Sequence, residues 1–226
     1  MPLNTILAIS ESIGINDHKV VGQVYSRNLH ISASEYVTVQ PFQVSMKPMA
    51  FLRYSENRGL LSELRVADRI AEQNLNFSST GWASYVAYQG TMTGTQISSC
   101  AWQTNSANKV LVLGSLPSIS SSAYIVKKGD FCQVGRYSYI ATEDILRGTA
   151  PTVSIPVHRN LIETLTSTVP AVIGEYGTTV SLGGSTYTGI TIPVLLAKYP
   201  TYSFSPITND SFIQWDGDFQ AYEVVL

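Results

Sequence analysis

The sequence predicts a mainly β protein, an antiparallel β-sandwich or barrel with one flanking amphipathic helix (about 57–74) and a small β-hairpin module (about 127–159). Three observations carry this expectation. From residue 78 onward, short runs rich in β-branched and aromatic residues alternate with period two between Gly or Pro punctuation. Only one segment has a helical period. No repeat at solenoid or propeller spacing divides the 226 residues. One β-rich domain over 1–226 follows, with room for an inserted small β-module at about 105–165.

The elements follow in chain order. Residues 19–27, "KVVGQVYSR", alternate partly, and 34–51 do so more clearly, with Tyr36, Thr38 and Gln40 on one face and Val37 and Val39 on the other. Pro41 cannot donate to a ladder and belongs at a strand end, an edge or a bulge. In "SENRGLLSELRVADRIAEQNLNF", Leu60, Leu64, Ala67, Ala71 and Leu75 recur at helical spacing, with charged residues mostly opposite. Ser55 or Asn57 is the expected cap, and Asn74–Asn76 the expected stop. Beyond it, "WASYVAYQG", "KVLVLGSL", "AYIV", "DFCQV", "YSYIATEDI", "TVSIPV", "TYTGITIPVLLA" and "FQAYEVV" read as strands.

Composition excludes several functions. Charged residues make up 13% of the chain, about half the usual ~25%. Either polar, uncharged surface is destined for contacts, or a β-rich protein carries Ser and Thr in place of charge. A net charge of −2 with no basic block argues against a direct nucleic-acid contact. The longest apolar runs fall far short of the ~20 residues that cross a bilayer, and "MPLNTILAISESIGIN" lacks a signal-peptide pattern. A protein made and kept in a cytoplasm is therefore expected, with Cys100 and Cys132 as two buried thiols.

Catalytic and metal motifs are sought without success, so the expected sets of catalytic, cofactor-binding and metal residues are empty. Ser185 lacks the second glycine of a nucleophile elbow. Gly184 to Gly189 has phosphate-loop spacing, but Ile190 stands in place of the lysine. His18, His30 and His158 are scattered, with no acidic partner at short range. Asn209, Asp210, Asp216 and Asp218 suggest calcium, but Asp216-Gly217 reads better as a tight hairpin turn. Trp82, Trp102, Trp215 and thirteen tyrosines leave sugar binding as a second hypothesis.

The segment 127–162, "KKGDFCQVGRYSYIATEDILRGTAPTVSIPVHRNLI", reads as a hairpin turning at Gly135-Arg136, with a third strand in "VSIPVHR". It resembles a segment of tail and baseplate proteins of tailed bacteriophages. Gly129, Asp130, Gln133, Gly135, Tyr139, Thr142, Asp144, Gly148, Val153, Pro156, Val157 and Arg159 match that pattern, and Ala141 replaces its usual valine. The strand-then-helix text at 39–70 is also similar to proteins that cap or start a tail tube. The resemblance covers about half the chain. It implies a non-enzymatic tube-initiator or hub-proximal baseplate protein of contractile-tailed phages. Such a protein has no cofactor, sits in the virion tail and forms a ring, commonly of six, that joins hub or baseplate to tail tube. Its partners would be copies of itself and neighbouring tube, hub or wedge proteins, with no membrane contact. The 127–159 module would reach a neighbouring ring. A receptor- or carbohydrate-binding β-module of a tail fibre or distal tail is the alternative.

Overall fold

The computed structural model describes residues 2–16, 21–25, 31–35, 40–66, 71–104 and 109–225, and is mainly β with antiparallel sheets. His18, His30, residues 36–39 and residues 67–70 lie outside the described residues. Helix α1 (Pro2–Ala8) leads into β1 (Ser10–Asn16), then β2 (Val21–Tyr25), β3 (Ile31–Glu35) and β4 (Gln43–Pro48). Next come β5 (Leu52–Arg53), α2 (Tyr54–Val66), β6 (Gln73–Asn76), a 3-10 turn (Ala83–Tyr85) and α3 (Gly94–Ser99). The middle of the chain gives β7 (Ala101–Trp102), β8 (Val110–Gly114), β9 (Tyr124–Val126), β10 (Phe131–Val134), β11 (Tyr137–Ile140), β12 (Ile145–Leu146) and β13 (Val153–Pro156). It then gives β14 (Val169–Pro170), β15 (Val172–Ile173), β16 (Tyr176–Gly177), β17 (Val180–Leu182) and β18 (Ser185–Tyr187). The last strands are β19 (Thr191–Lys198), β20 (Thr201–Ile207), β21 (Asp210–Asp216) and β22 (Phe219–Glu223).

The main sheet runs β1-β4-β22-β19-β6 and curls as a half-barrel. Its concave face encloses Val44, Met46, Ile192, Val194 and Phe219, with Leu3, Ile6 and Leu7 of α1 packed among them. Pro41 sits just before β4, where its missing N–H disrupts no ladder. A second core forms from residues between Met92 and Ile173, with Trp102, Leu111, Leu113, Ile125 and Ile155 at its centre.

Three local expectations need correction. The helix ends well before residue 74, because Gln73–Asn76 is strand β6, paired to β19 with Leu75 opposite Ile192. Leu75 suits both patterns, since its side chain points into the main core either way. The amides around it decide the matter: Asn76 Nδ2 donates to the Thr188 carbonyl and to Thr191 Oγ1, and Gln73 Oε1 accepts from the Leu3 N–H. "WASYVAYQG" is a 3-10 turn and loop, tied by the Trp82 indole N–H to the Leu7 carbonyl. Asp216-Gly217 is a corner between sheets, since β21 pairs with β20 and β5 whereas β22 pairs with β19 and β4. The tight hairpin lies one strand earlier, at Thr208-Asn209, where Asn209 takes φ +63°.

Candidate functional site

The segment 127–159 forms the expected hairpin, with Phe131 opposite Ile140 and Val134 opposite Tyr137. Its place in the molecule differs from a presented surface. Strands β11-β10-β15-β16 make a sheet that separates the two cores. Along β10, Cys132 and Val134 enter the second core, whereas Phe131 enters the main core and Gln133 points the same way as Phe131. Tyr137 and Tyr139 of β11 repeat the first assignment and Ile140 the second. The hairpin is therefore buried on both faces, and Gly135 is the exposed residue among 130–142. The strand beginning at Val153 pairs with β8, and just past its end Val157 bridges to Ala141, the residue after β11.

Polar residues of the hairpin and of the strand that follows fasten this wall to the main sheet. Gln133 behaves like an extra strand residue: its Oε1 accepts from the Thr191 N–H at 2.7 Å and its Nε2 donates to the Thr191 carbonyl at 2.9 Å. Arg159 forms a buried ion pair with Glu223 of β22 (Nη2 to Oε1 2.7 Å) and also donates to the Gln40 and Ser138 carbonyls. Its guanidinium lies 4.7 Å from the Phe42 ring centre and 5.3 Å from that of Tyr139. Glu223 Oε2 also accepts from the Phe42 N–H. At the hairpin's base the buried Asp130 carboxylate accepts from the Gln89 and Lys127 N–H groups, and burial raises it above the ordinary carboxylate range. Asp144 accepts from the Lys128 N–H, and Thr142 donates to the Pro156 carbonyl. The matched residues are thus turn, seam and latch residues of the fold.

The remaining candidates are dispersed. The His158 Nδ1 accepts from the Ile140 N–H, with its ring against Phe42. Cys100 and Cys132 are separate buried thiols; burial pushes the first up to about 11 and the second higher still. Asp210 accepts from the backbone N–H and hydroxyl of Ser55 in the first turn of α2, and these bonds lower its pKa. The Trp102 and Trp82 indoles donate inward, to the Gln133 and Leu7 carbonyls. Gly183-Gly184 is the turn of the β17–β18 hairpin, both residues at positive φ. Among the described residues no group of three or more His, Cys, Asp and Glu is placed to hold a metal.

Sequence reasoning missed the edges of β20 and β17, which have no neighbouring strand among the described residues. Strand β20 ends the sheet β20-β21-β5. One face of that sheet packs under α2, with Tyr54 edge-on to Phe204 and Arg65 donating to the Tyr202 hydroxyl. Phe204 is still 46% exposed, because no strand flanks it among the described residues. Strand β17 has an open edge opposite β18, and residues 178–183 form one wall of a cleft of about 600 Å³. The facing wall carries Arg136, Tyr137, Ile162, Glu163 and Pro170, and Arg136 is paired with Glu72. Neither "YPTYSFSPITN" (199–209) nor "TTVSLGGSTYTG" (178–189) contains a charged residue. Composition gave the one available signal, a low overall charge, but not its location. No protein-family model and no curated protein matches the chain.

Proposed function

We propose that this chain is a structural, non-catalytic subunit of the tail or baseplate of a contractile-tailed phage. It forms a ring of like copies, commonly six, that joins hub or baseplate to tail tube and helps start the tube. One observation carries the reading: among the described residues the edges of β17 and β20 have no neighbouring strand, and their stretches lack the charges that normally guard such edges against pairing. In a closed ring each edge meets a neighbour and none is left free. The resemblance of 127–162 to tail and baseplate proteins supplies the particular setting, with tube, hub or wedge proteins above and below and the virion as location.

Light scattering across a concentration range, with negative-stain images of the same fractions, tests this reading. Closed rings or short tubes are the expected result. A stable trimer with glycan affinity, or a monomer at every concentration, overturns it.

A further inference from the structure

We propose that the ring contact is edge-to-edge pairing between β20 of one copy and β17 of the next, with β20 entering the cleft beside β17. The inference rests on the ring reading above and names its interface.

Three other sheet edges are covered or charged; the outer edges of the β2–β3 hairpin also lack a neighbouring strand among the described residues. Along β6, the Asn76 N–H donates to Asn4 and Gln73 accepts from Leu3, so α1 closes that edge. At β11 the Ile140 N–H donates to His158 and the Ser138 carbonyl accepts from Arg159. Strand β1 carries Glu11, ion-paired with Lys47 of β4, the kind of charge that discourages pairing. β17 and β20 have no such guard.

The ladder alternation makes the two edges compatible. Counting from the two-residue turn Gly183-Gly184, Leu182 and Val180 spend their backbone groups on β18, so Ser181 and Thr179 turn theirs outward. Counting from Thr208-Asn209, Ile207, Ser205 and Ser203 bond to β21, so Tyr202, Phe204 and Pro206 face the open edge. An antiparallel register of Tyr202 with Ser181 and Phe204 with Thr179 makes four backbone hydrogen bonds between copies and asks no N–H of Pro206. Thr179 and Ser181 are exposed in the single chain, as this requires.

Volume and charge agree. From strand rise, strand spacing and sheet spacing, one strand residue in a packed sheet fills roughly 160 Å³. The cleft of about 600 Å³ therefore takes roughly four residues, the stretch Tyr202 to Ser205. Arg136 on the facing wall is already paired with Glu72, so an uncharged strand leaves no cation unpaired there, and Glu163 on the same wall is exposed in the single chain. The contact joins two different patches, and such a contact propagates into a ring where a self-complementary one stops at a dimer.

The test uses the full chain in three forms: wild type, Phe204→Lys and Thr179→Lys, each checked by circular dichroism to be fully folded at the assay temperature. Wild type is expected to form rings and each variant to remain monomeric. An equimolar mixture of the two variants retains one intact edge and one intact cleft between unlike copies, so it should give dimers and no rings. A Thr179→Cys/Phe204→Cys double variant gives a second readout independent of the lysine variants. The register places those Cα atoms about 5.5 Å apart, within the span of a disulfide, so oxidation should yield a ladder of covalent multimers. Wild-type rings that survive both lysine substitutions and never cross-link overturn the interface and leave the ring reading standing. A wild type that never assembles overturns both.

Discussion

Replacing Arg159 by Met gives the sharpest test of how the wall is fixed. The substitution leaves the Glu223 carboxylate buried against Phe42, with the Phe42 N–H as its remaining partner among those described. It also strips a donor from the Gln40 and Ser138 carbonyls. Removing one member of a buried pair costs about 3–5 kcal/mol, a large share of the roughly 5–15 kcal/mol that holds a domain together. With a urea m-value of about 2–3 kcal/mol per molar, the unfolding midpoint should fall by roughly 1–2.5 M. Replacing both partners, as Arg159→Met with Glu223→Leu, removes the stranded charge and should recover at least half of the loss. Urea titration followed by tryptophan fluorescence reads both numbers. A single-variant loss below about 1 kcal/mol, or a double variant that loses the sum of the singles, refutes the latch.

Three further outcomes follow from the same contacts. Gln133→Leu leaves the Thr191 N–H and carbonyl without their partner and should cost about 2–6 kcal/mol by urea unfolding, given about 1–3 kcal/mol for each stranded buried group. Asp210 titrates below its ordinary value because Ser55 and the Ser211 N–H hold its charged form. Its stabilising effect is therefore complete above the unfolded value near 3.9 and is lost as pH falls through the lower folded value, a step that Asp210→Asn should erase from the pH–stability curve. Burial raises both thiols, so neither Cys100 nor Cys132 should react with a disulfide reagent at pH 8 until the chain is denatured.

The β class and strands such as Gln43–Pro48 were legible because period-two alternation survives where one face is buried. The end of the helix was not, because Leu75 satisfies either period and only the amide bonds of Gln73 and Asn76 distinguish them. Asp216-Gly217 has hairpin composition, yet the chain there changes sheets; which strands meet across a corner is set by long-range pairing that a dipeptide does not encode. The Arg159–Glu223 pair joins residues 64 positions apart, so no local spacing announces it. The open edges were illegible for a related reason: an edge is defined by the strand that is missing beside it.

The inward orientation of the hairpin separates two ways of losing assembly. Had Gly129 to Arg159 formed a presented surface, substitutions there would block contacts between copies and spare the fold. The structure places Asp130, Gln133, Tyr139 and Arg159 in the wall and its fastenings, each buried, so changes at these positions reach assembly only through stability. Phe204 and Thr179 stand on strand edges, where a charge adds a desolvation cost to any strand that pairs there; at Phe204 it also removes the ring contacts with Tyr54 and Tyr202, at Thr179 no core contact. The two cores on either side of the wall are built from apolar residues, and the stretches that carry β17 and β20 contain no charge. Arg159 and Glu223 can remain buried because each satisfies the other, whereas a lone charge at Phe204 or Thr179 has no such partner. Loss of rings from a subunit that is still fully folded at these edge positions, beside loss of rings only together with lost stability at Arg159, is the pattern this division of labour requires.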